Sequence, residues 1–153
     1  MRVYRIAAEA FGKTAAQTFS GQGGLYGMGR WHGKGRLIVY CSQRLSLSAL
    51  EALVHIQRND RIEPFVYWEM EVPEGRIEKA ANLPADWKTN LPATQKYGDV
   101  WLDGKKRPAL LVPSVLIETE SNVLLNPSHP DFDLGWIVKG PVPFVFDQRL
   151  TAP

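Results

Sequence analysis

The sequence predicts an α+β fold in a single domain, and three observations lead to this prediction. First, 153 residues with 44% hydrophobic and 22% charged residues match one ordinary globular domain over residues 1–153. Second, apolar residues recur at helical spacing within residues 46–58, at Leu47, Leu50, Leu53 and Val54. Third, strands dominate after residue 60, in place of a regular alternation of strand and helix.

The predicted elements follow one another along the chain. A strand at 3–6 precedes a glycine-rich loop over residues 21–35, which holds seven of the 13 glycines. An apolar strand at 37–40 leads into the helix at 46–58 and then into an alternating strand at 65–72. A weaker helix is expected at 92–102. The remaining predicted strands cover residues 110–113, 115–119, 135–138 and 143–146.

Charge and composition exclude several classes of protein. A net charge of +2 from 18 basic and 16 acidic residues is too balanced for a dedicated nucleic-acid binder, and the basic run 105–107 is interpreted as a solvated turn. The longest apolar run, residues 37–41, is far shorter than the roughly 20 residues of a membrane span. No signal peptide is evident, so the expected compartment is the cytoplasm. The single cysteine, Cys41, forms no internal disulfide, and three scattered histidines predict no metal site.

The glycine-rich loop matches neither a P-loop nor a dinucleotide fingerprint, since the glycines and the Ser/Thr do not fall at the required positions. It does contain Gly29-Arg30-Trp31-His32. An arginine held on closely approaching backbone can bind two oxygens of a diphosphate at once. The alternative interpretation of Arg30 is a surface residue in a mobile loop.

The helix at 46–58 carries one candidate carboxylate, Glu51, which shares a face with His55 four residues later. Ser48-x-x-Glu51 also matches a capping box, in which the glutamate bonds the backbone at the start of the helix. If the helix begins earlier, at Ser46, Glu51 lies within the helix beside whatever the strand at Tyr40 presents. The local pattern leaves both alternatives open.

Ser114 is a polar residue in an otherwise apolar stretch, directly after Pro113. A proline inside a strand indicates an edge, a break or a bulge, and such breaks can aim a side chain into a cleft. A serine satisfied locally at a strand break is the alternative. With no Gly-x-Ser-x-Gly context and no recognisable Asp/His partners, Ser114 does not indicate a serine hydrolase.

Taken together, these segments resemble one family, the RES-domain toxins of bacterial toxin–antitoxin modules, named after an arginine, a glutamate and a serine. The resemblance spans nearly the whole chain, in the family's order. Its matching segments are Val3-Tyr4-Arg5-Ile6, Gly29-Arg30-Trp31, Val39-Tyr40-Cys41-Ser42, Ala49-Leu50-Glu51-Ala52-Leu53-Val54-His55, Leu111-Val112-Pro113-Ser114, and Asn122-Val123-Leu124-Leu125-Asn126-Pro127 with His129-Pro130. One departure is His32, where the family often has Asn, and this puts any contact from that position in doubt.

The resemblance implies an ADP-ribosyltransferase-like fold, with two packed, mostly antiparallel sheets and peripheral helices around an NAD cleft. It implies NAD+ as substrate and no prosthetic group. The implied catalytic residues are Arg30, Tyr40, Glu51 and Ser114. The implied NAD-binding residues are Arg5, Arg30, Trp31 and Tyr40, although Trp31 could instead anchor the loop. Glu51 would stabilise the oxocarbenium-like state that forms when the nicotinamide–ribose bond breaks.

A second carboxylate set, Glu118-Thr119-Glu120, looks like the Glu-x-Glu signature of arginine-directed ADP-ribosyltransferases and competes with Glu51. A solvent-facing strand would explain that pattern equally well.

Three functions therefore follow as expectations. The first is a toxin that cleaves NAD+ by hydrolysis or phosphorolysis and arrests growth. The second is a mono-ADP-ribosyltransferase with a protein acceptor, and the third is a non-catalytic nucleotide-binding or partner-binding module. The resemblance also implies a helix-turn-helix, Xre-type antitoxin that blocks the cleft. DNA contact would come only through that partner, and a homodimer stays open as an oligomeric state.

Overall fold

A computed structural model describes residues 1–56 and 64–150 of the chain. The strands are β1 (Arg2–Ala8), β2 (Val39–Ser42), β3 (Phe65–Glu71), β4 (Ile77–Lys79), β5 (Ala109–Pro113), β6 (Ser121–Leu125) and β7 (Ile137–Phe144). The helices are α1 (Glu9–Gly12), α2 (Ala15–Thr18), α3 (Gly23–Tyr26), α4 (Leu45–His55) and α5 (Leu91–Gly104). Short 3-10 turns cover Glu74–Arg76, Leu134–Trp136 and Gln148–Leu150. No helix in these residues is long and apolar enough to cross a bilayer.

The strands form one mixed sheet in the order β4-β5-β6-β2-β1-β3-β7. Only β4 and β5 are parallel, and every other neighbouring pair is antiparallel. The mixed α and β content agrees with the predicted class. The two separate sheets implied by the resemblance are corrected to one, because β1 and β2 share a paired position, Tyr4 opposite Ser42, which makes the hydrogen-bonded ladder continuous.

That junction between β1 and β2 is nevertheless short, and side chains satisfy the backbone where the two strands separate. If the register continued, Ile6 would lie opposite Tyr40 and the two would share backbone hydrogen bonds. Instead, the Ile6 N–H donates to Ser48 Oγ of α4 at 3.2 Å. The Tyr40 carbonyl accepts from Arg5 Nη1 at 2.9 Å. The sheet therefore has a four-stranded half, β4-β5-β6-β2, and a three-stranded half, β1-β3-β7, that meet at a narrow junction.

Apolar side chains cover both faces of the four-stranded half. One face continues across the junction into β1 and β3, and its buried residues include Val3, Val39, Cys41, Trp68, Met70, Val123 and Leu125. The opposite face packs against α5 and the glycine-rich loop through Trp31, Ile38, Trp101, Leu102, Leu110, Val112 and Leu124. The second cluster therefore fastens the glycine-rich loop to the sheet.

Most predicted elements are confirmed, with shifted ends. The strands expected at 3–6, 65–72 and 110–113 correspond to β1, β3 and β5, and both long helices are present. The strand expected at 37–40 lies two residues later, as β2. Those expected at 135–138 and 143–146 merge into β7, after a 3-10 turn. Strands β4 and β6 were not among the strands predicted from the pattern, and the glycine-rich loop contains the single turn α3.

Two expectations are wrong for physical reasons. Residues 115–119 form turns instead of a strand, because the Ser114 hydroxyl accepts the Leu116 and Ile117 N–H groups and folds the chain back locally. The apolar stripe of α4 is only partly covered, since Leu50 and Val54 are 39% and 61% exposed while Leu47 is fully buried. The last two residues of the predicted helix, 57 and 58, lie outside the described residues.

Candidate active site

The site is centred on the Glu51 carboxylate of α4, which reaches two other elements of the four-stranded half. Its Oε1 accepts from Asn122 Nδ2 of β6 at 2.6 Å and from Ser114 Oγ, which follows β5, at 3.1 Å. Helix α4 begins at Leu45, so Glu51 lies within the helix and the capping-box alternative is wrong. Among the described residues, no hydrogen bond reaches Oε2, so one carboxylate oxygen is anchored and the other is available.

The register of the sheet explains why Asn122 is held so well. Ser42 of β2 lies directly opposite Asn122 of β6, and the Ser42 hydroxyl donates to Asn122 Oδ1 at 2.7 Å. Both residues are buried. Because the amide oxygen is occupied by Ser42, the amide nitrogen is directed to Glu51, and the orientation of Asn122 is set by its partners.

Ser114 completes the anchoring of the carboxylate. Its side chain is fully buried, and the hydroxyl accepts the Leu116 and Ile117 N–H groups at 3.1 and 3.2 Å while donating to Glu51. Both lone pairs and the proton of the hydroxyl are thereby used. The strand break after Pro113 thus does aim a side chain, and the target of Ser114 is Glu51.

Tyr40 lies on the same face of β2 as Ser42, since alternate strand residues point to one side. Its hydroxyl accepts the Trp31 N–H at 3.1 Å and contacts His32 Nδ1 at 2.7 Å. Burial raises the pKa of the phenol well above its ordinary value. The charges of Asp99 and Glu51 raise the pKa further, whereas the Trp31 N–H and the Arg30 charge lower it. The charges of Arg30 and Glu51 therefore both act on the Tyr40 hydroxyl, and Arg30 directly precedes Trp31, whose N–H binds that hydroxyl.

The loop that carries Arg30 is fastened to α5 through contacts that need glycine. Gly98 of α5 lies so close to the loop that a Cβ would come within 1.7 Å of the Trp31 carbonyl oxygen. A Cβ on Gly29 would come within 2.7 Å of the Tyr40 hydroxyl. From α5, Gln95 Nε2 donates to the Gly29 carbonyl at 2.9 Å. The mobile-loop alternative for this segment is therefore replaced by a loop held on two sides.

Two members of this loop have different roles. Arg30 is half-buried, and its Nη1 donates to the carbonyl groups of Lys88 and Trp87 at 3.1 and 3.4 Å, which leaves its other nitrogens unbonded within the described residues. Trp31 is 1% exposed and stacks on Trp87 with ring centroids 6.0 Å apart. A ring this buried has no face for a ligand, so the interpretation of Trp31 as a binding side chain is corrected to that of a loop anchor.

Arg5 is placed at the junction of the sheet halves. Besides the Tyr40 carbonyl, its guanidinium binds the Thr18 carbonyl through Nε at 2.9 Å. Burial lowers the pKa of this guanidinium. These two bonds use the Nε–H and one of the two N–H groups of Nη1, so the second Nη1 N–H and both N–H groups of Nη2 are left for a ligand.

The competing candidates have side-chain partners other than Glu51, Tyr40 and Arg30. Glu118 is exposed and forms an ion pair with Lys88, and Glu120 is 3.6 Å from Arg44. His55 is exposed at the end of α4, and the buried His129 holds the Lys105 carbonyl through Nε2 at 2.9 Å. Residues 105–107 are exposed, as expected of a solvated turn. The described residues contain no group of three or more His, Cys, Asp or Glu that could hold a metal.

Sequence reasoning missed Asn122 and Ser42 as site residues, although both lie in segments that carry the family resemblance. The available signal was polarity, because Asn122 precedes the apolar run Val123-Leu124-Leu125 and is buried with it. That signal cannot identify the partner, which is 71 residues away along the chain.

Comparisons with known proteins identify relatives of this chain. The model of the RES domain matches residues 2–147. A protein of Yersinia enterocolitica named Toxin Res is 37% identical over 156 residues, covering 98% of this chain and 99% of its own length. A Prs ADP-ribosylating toxin of Sphingobium sp. is 35% identical over 137 residues, covering 84% of this chain and 83% of its own.

Among solved structures, a chain of the M. tuberculosis MbcT–MbcA toxin–antitoxin complex has a similar fold. It matches with a TM-score of 0.67 at 16% identity, covering 99% of this chain and 89% of that one. The fold, the near-complete family match and the full-length relatives lead to one conclusion: the chain belongs to the RES-domain family.

Proposed function

We propose that this RES-domain toxin cleaves the nicotinamide–ribose bond of NAD+, and that Glu51 is its catalytic carboxylate. One observation carries the proposal. Glu51 has one oxygen anchored by Asn122 and Ser114 and the other unbonded within the described residues, and its charge acts on the Tyr40 hydroxyl. A fixed anion of this kind stabilises positive charge that develops in a transition state, without having to reorganise.

The proposed reaction begins with cleavage of the bond between ribose C1′ and the nicotinamide nitrogen. The bonding electron pair moves onto the pyridinium nitrogen, so that nicotinamide leaves as a neutral molecule and C1′ becomes oxocarbenium-like. Glu51 Oε2 stabilises this cation. Water or phosphate then bonds to C1′, and when water is the nucleophile it releases one proton.

We assign binding of the substrate diphosphate to the two arginines, Arg30 and Arg5. NAD+ carries a diphosphate, and the Arg30 guanidinium has nitrogens not used by the Trp87 and Lys88 carbonyls that can bind two of its oxygens. Arg5 would contribute through Nη2 and the second N–H of Nη1, because its Nε–H and the other Nη1 N–H hold backbone carbonyl groups. Tyr40 orients the nicotinamide end of the substrate.

The test is an NAD+ consumption assay on purified protein free of antitoxin, with and without phosphate, with products resolved by mass. Free ADP-ribose and nicotinamide identify a hydrolase, and a phosphate-dependent phosphorylated ADP-ribose identifies a phosphorylase. E51Q should lose NAD+ turnover while its circular dichroism spectrum and unfolding midpoint stay close to those of the wild type. Folded wild-type protein that leaves NAD+ intact, or E51Q with full turnover, would contradict the proposal.

Transfer to a protein acceptor is the second candidate, favoured by the Sphingobium relative whose name describes an ADP-ribosylating toxin. It uses the same bond cleavage with a different nucleophile. The same assay separates the two, because transfer leaves ADP-ribose attached to the acceptor and releases nicotinamide only when acceptor protein is added. A non-catalytic module, the third alternative, predicts no turnover under either condition.

We also propose an antitoxin partner of the helix-turn-helix, Xre type that covers this cleft, acting in the cytoplasm. The structural similarity to a chain of a toxin–antitoxin complex supports an antitoxin partner. If such a partner covers Glu51, adding it to the NAD+ assay stops turnover in proportion to complex formed.

A further inference from the structure

The hydroxyl of Tyr40 is committed to two protein partners, and their chemistry determines where its proton lies. His32 Nε2 is 3.1 Å from the Gly27 carbonyl oxygen. A carbonyl oxygen only accepts, so Nε2 carries the ring proton. In the neutral imidazole, Nδ1 then has no proton and must accept, and its partner at 2.7 Å is the Tyr40 hydroxyl.

The second partner of the Tyr40 hydroxyl leaves it able to form one more hydrogen bond. The Trp31 N–H donates to the phenol oxygen at 3.1 Å, which uses one lone pair. The phenol proton is given to His32, so the only unused capacity of the hydroxyl is its second lone pair. In this state Tyr40 accepts a hydrogen bond from a substrate and has none to donate.

We propose that His32 is a positioning residue that holds Tyr40 as a hydrogen-bond acceptor toward the donor groups of the substrate, a carboxamide N–H or a ribose hydroxyl. This inference rests on the function proposed above. It assigns a role to the one position at which the chain departs from the family pattern. Protonation of His32 would reverse the contact, because Nδ1–H would then donate to the phenol oxygen and release the phenol proton toward the substrate.

The surroundings of His32 favour the neutral ring. The side chain is buried under the loop, and burial lowers the pKa of the imidazole below its ordinary value of 6.5. The Gly27 carbonyl and the charge of the Asp99 carboxylate on α5 oppose this effect. Arg30, on the same loop, and Glu51, from α4, act on the Tyr40 end of the contact. The acceptor state of Tyr40 is therefore the one present at neutral pH.

The test compares H32A, H32N and H55N in NAD+ turnover between pH 5 and 8. H32A removes the acceptor for the phenol proton, and kcat should fall by about tenfold or more, with a smaller change in KM. H32N offers a carbonyl oxygen to Tyr40 and an amide N–H to Gly27. The kcat of H32N should therefore be much closer to that of the wild type than the kcat of H32A. Because burial lowers the pKa of His32, the wild type and H55N should lose activity only at a pH below the ordinary imidazole value of 6.5, and H32N should not show this acid limb. H55N is the matched control, because His55 is exposed.

Turnover with NAD+ and with nicotinic acid adenine dinucleotide identifies the donor group. If the carboxamide N–H is the donor, the acid analogue, which lacks it, should be cleaved poorly by the wild type. If a ribose hydroxyl is the donor, both dinucleotides should be cleaved.

Nuclear magnetic resonance of the histidine rings keeps the inference testable if H32A does not fold or if NAD+ is not the substrate. In 15N-labelled wild-type protein, the ring signals of His32 are identified as those that disappear in H32N. At pH 7 these signals should show a neutral ring with its proton on Nε2. An Nδ1–H tautomer, or an unchanged acid limb in H32N, would overturn the role of His32. Absence of NAD+ turnover together with the Nε2–H tautomer would overturn the proposed function and leave the hydrogen-bond geometry standing.

Discussion

The two halves of the sheet differ in how they use their polar residues. In the four-stranded half, the polar side chains of Ser42 and Asn122 are buried and bind each other, and Asn122 also binds the half-buried Glu51 of α4. In the three-stranded half, the exposed Arg2 pairs with Glu69 and Glu71 at the surface. Exposed pairs of this kind contribute little to stability. The difference indicates that the four-stranded half, with α5, the glycine-rich loop and the Glu51 side chain of α4, provides the chemistry, whereas the three-stranded half provides the frame on which α4 also packs.

The largest expected effect comes from Gly98→Ala in α5, above the four-stranded half. An added Cβ would lie 1.7 Å from the Trp31 carbonyl oxygen, so the loop carrying Arg30 must move away from the helix. This overpacking outweighs the better helix propensity of alanine, and we expect a loss of about 3 kcal/mol or more in the free energy of unfolding. Denaturant unfolding and NAD+ turnover measure the two effects.

Gly12→Ala is the matched change next to the three-stranded half. Its Cβ would lie 2.4 Å from Val66 Cγ2, so it should also destabilise the protein, by about 1–2 kcal/mol. Turnover per folded molecule should stay unchanged. Equal losses of turnover in Gly98→Ala and Gly12→Ala would contradict the conclusion that the four-stranded half carries the chemistry.

An effect between those of the two glycine variants is expected from Arg5→Ala at the junction. The change leaves the Thr18 and Tyr40 carbonyl groups without their charged donor, which should lower the free energy of unfolding by about 2–4 kcal/mol. Arg5→Lys should recover part of this loss. Arg2→Ala, on the same strand but exposed, should unfold at the wild-type denaturant midpoint. If Arg5→Ala instead raised KM for NAD+ without lowering stability, Arg5 would be a substrate ligand and not a structural junction residue.

The smallest expected effect on stability, with a clear effect on activity, is that of Asn122→Ala. Removing the amide frees the Glu51 carboxylate from its 2.6 Å contact, and kcat should fall by about ten- to a hundredfold. The free energy of unfolding should fall by only about 1 kcal/mol. Asn126→Ala is the control, since Asn126 is also buried but binds the Leu102 carbonyl and the Ser128 N–H, away from Glu51. Similar losses of kcat in both variants would contradict a specific role for Asn122.

Much of the fold could be predicted because the signals are local. Alternating apolar residues identified β3, whose Val66, Trp68 and Met70 are all buried. The helical spacing identified α4, but not which side of it is covered. Leu47 and Ser48 face the sheet while Val54 faces solvent, because coverage depends on which strands lie beneath the helix and not on periodicity.

The candidate site could be predicted only in part, for a related reason. Glu51, Tyr40, Arg30 and Ser114 stand in recognisable segments, and the structure brings Tyr40 near Arg30 and Glu51 and bonds Ser114 to Glu51. The roles of Asn122 and Ser42 depend on β2 and β6 being neighbours in register, and strand order is a long-range property that local pattern does not contain. Trp31 was misassigned because burial against Trp87, 56 residues later, removes its ring from the cleft.

The attachment of the glycine-rich loop to α5 has a consequence for the entropy of binding. Gln95 holds the Gly29 carbonyl, Asp99 holds the Gly33 N–H at 3.1 Å, and Gly98 allows the backbones to touch. A loop ordered before the ligand arrives loses little conformational freedom on binding, so more of the contact energy of Arg30 appears as affinity. Seven glycines would make a free chain of this length very flexible, and it is the helix beside it that makes the loop a preorganised part of the site.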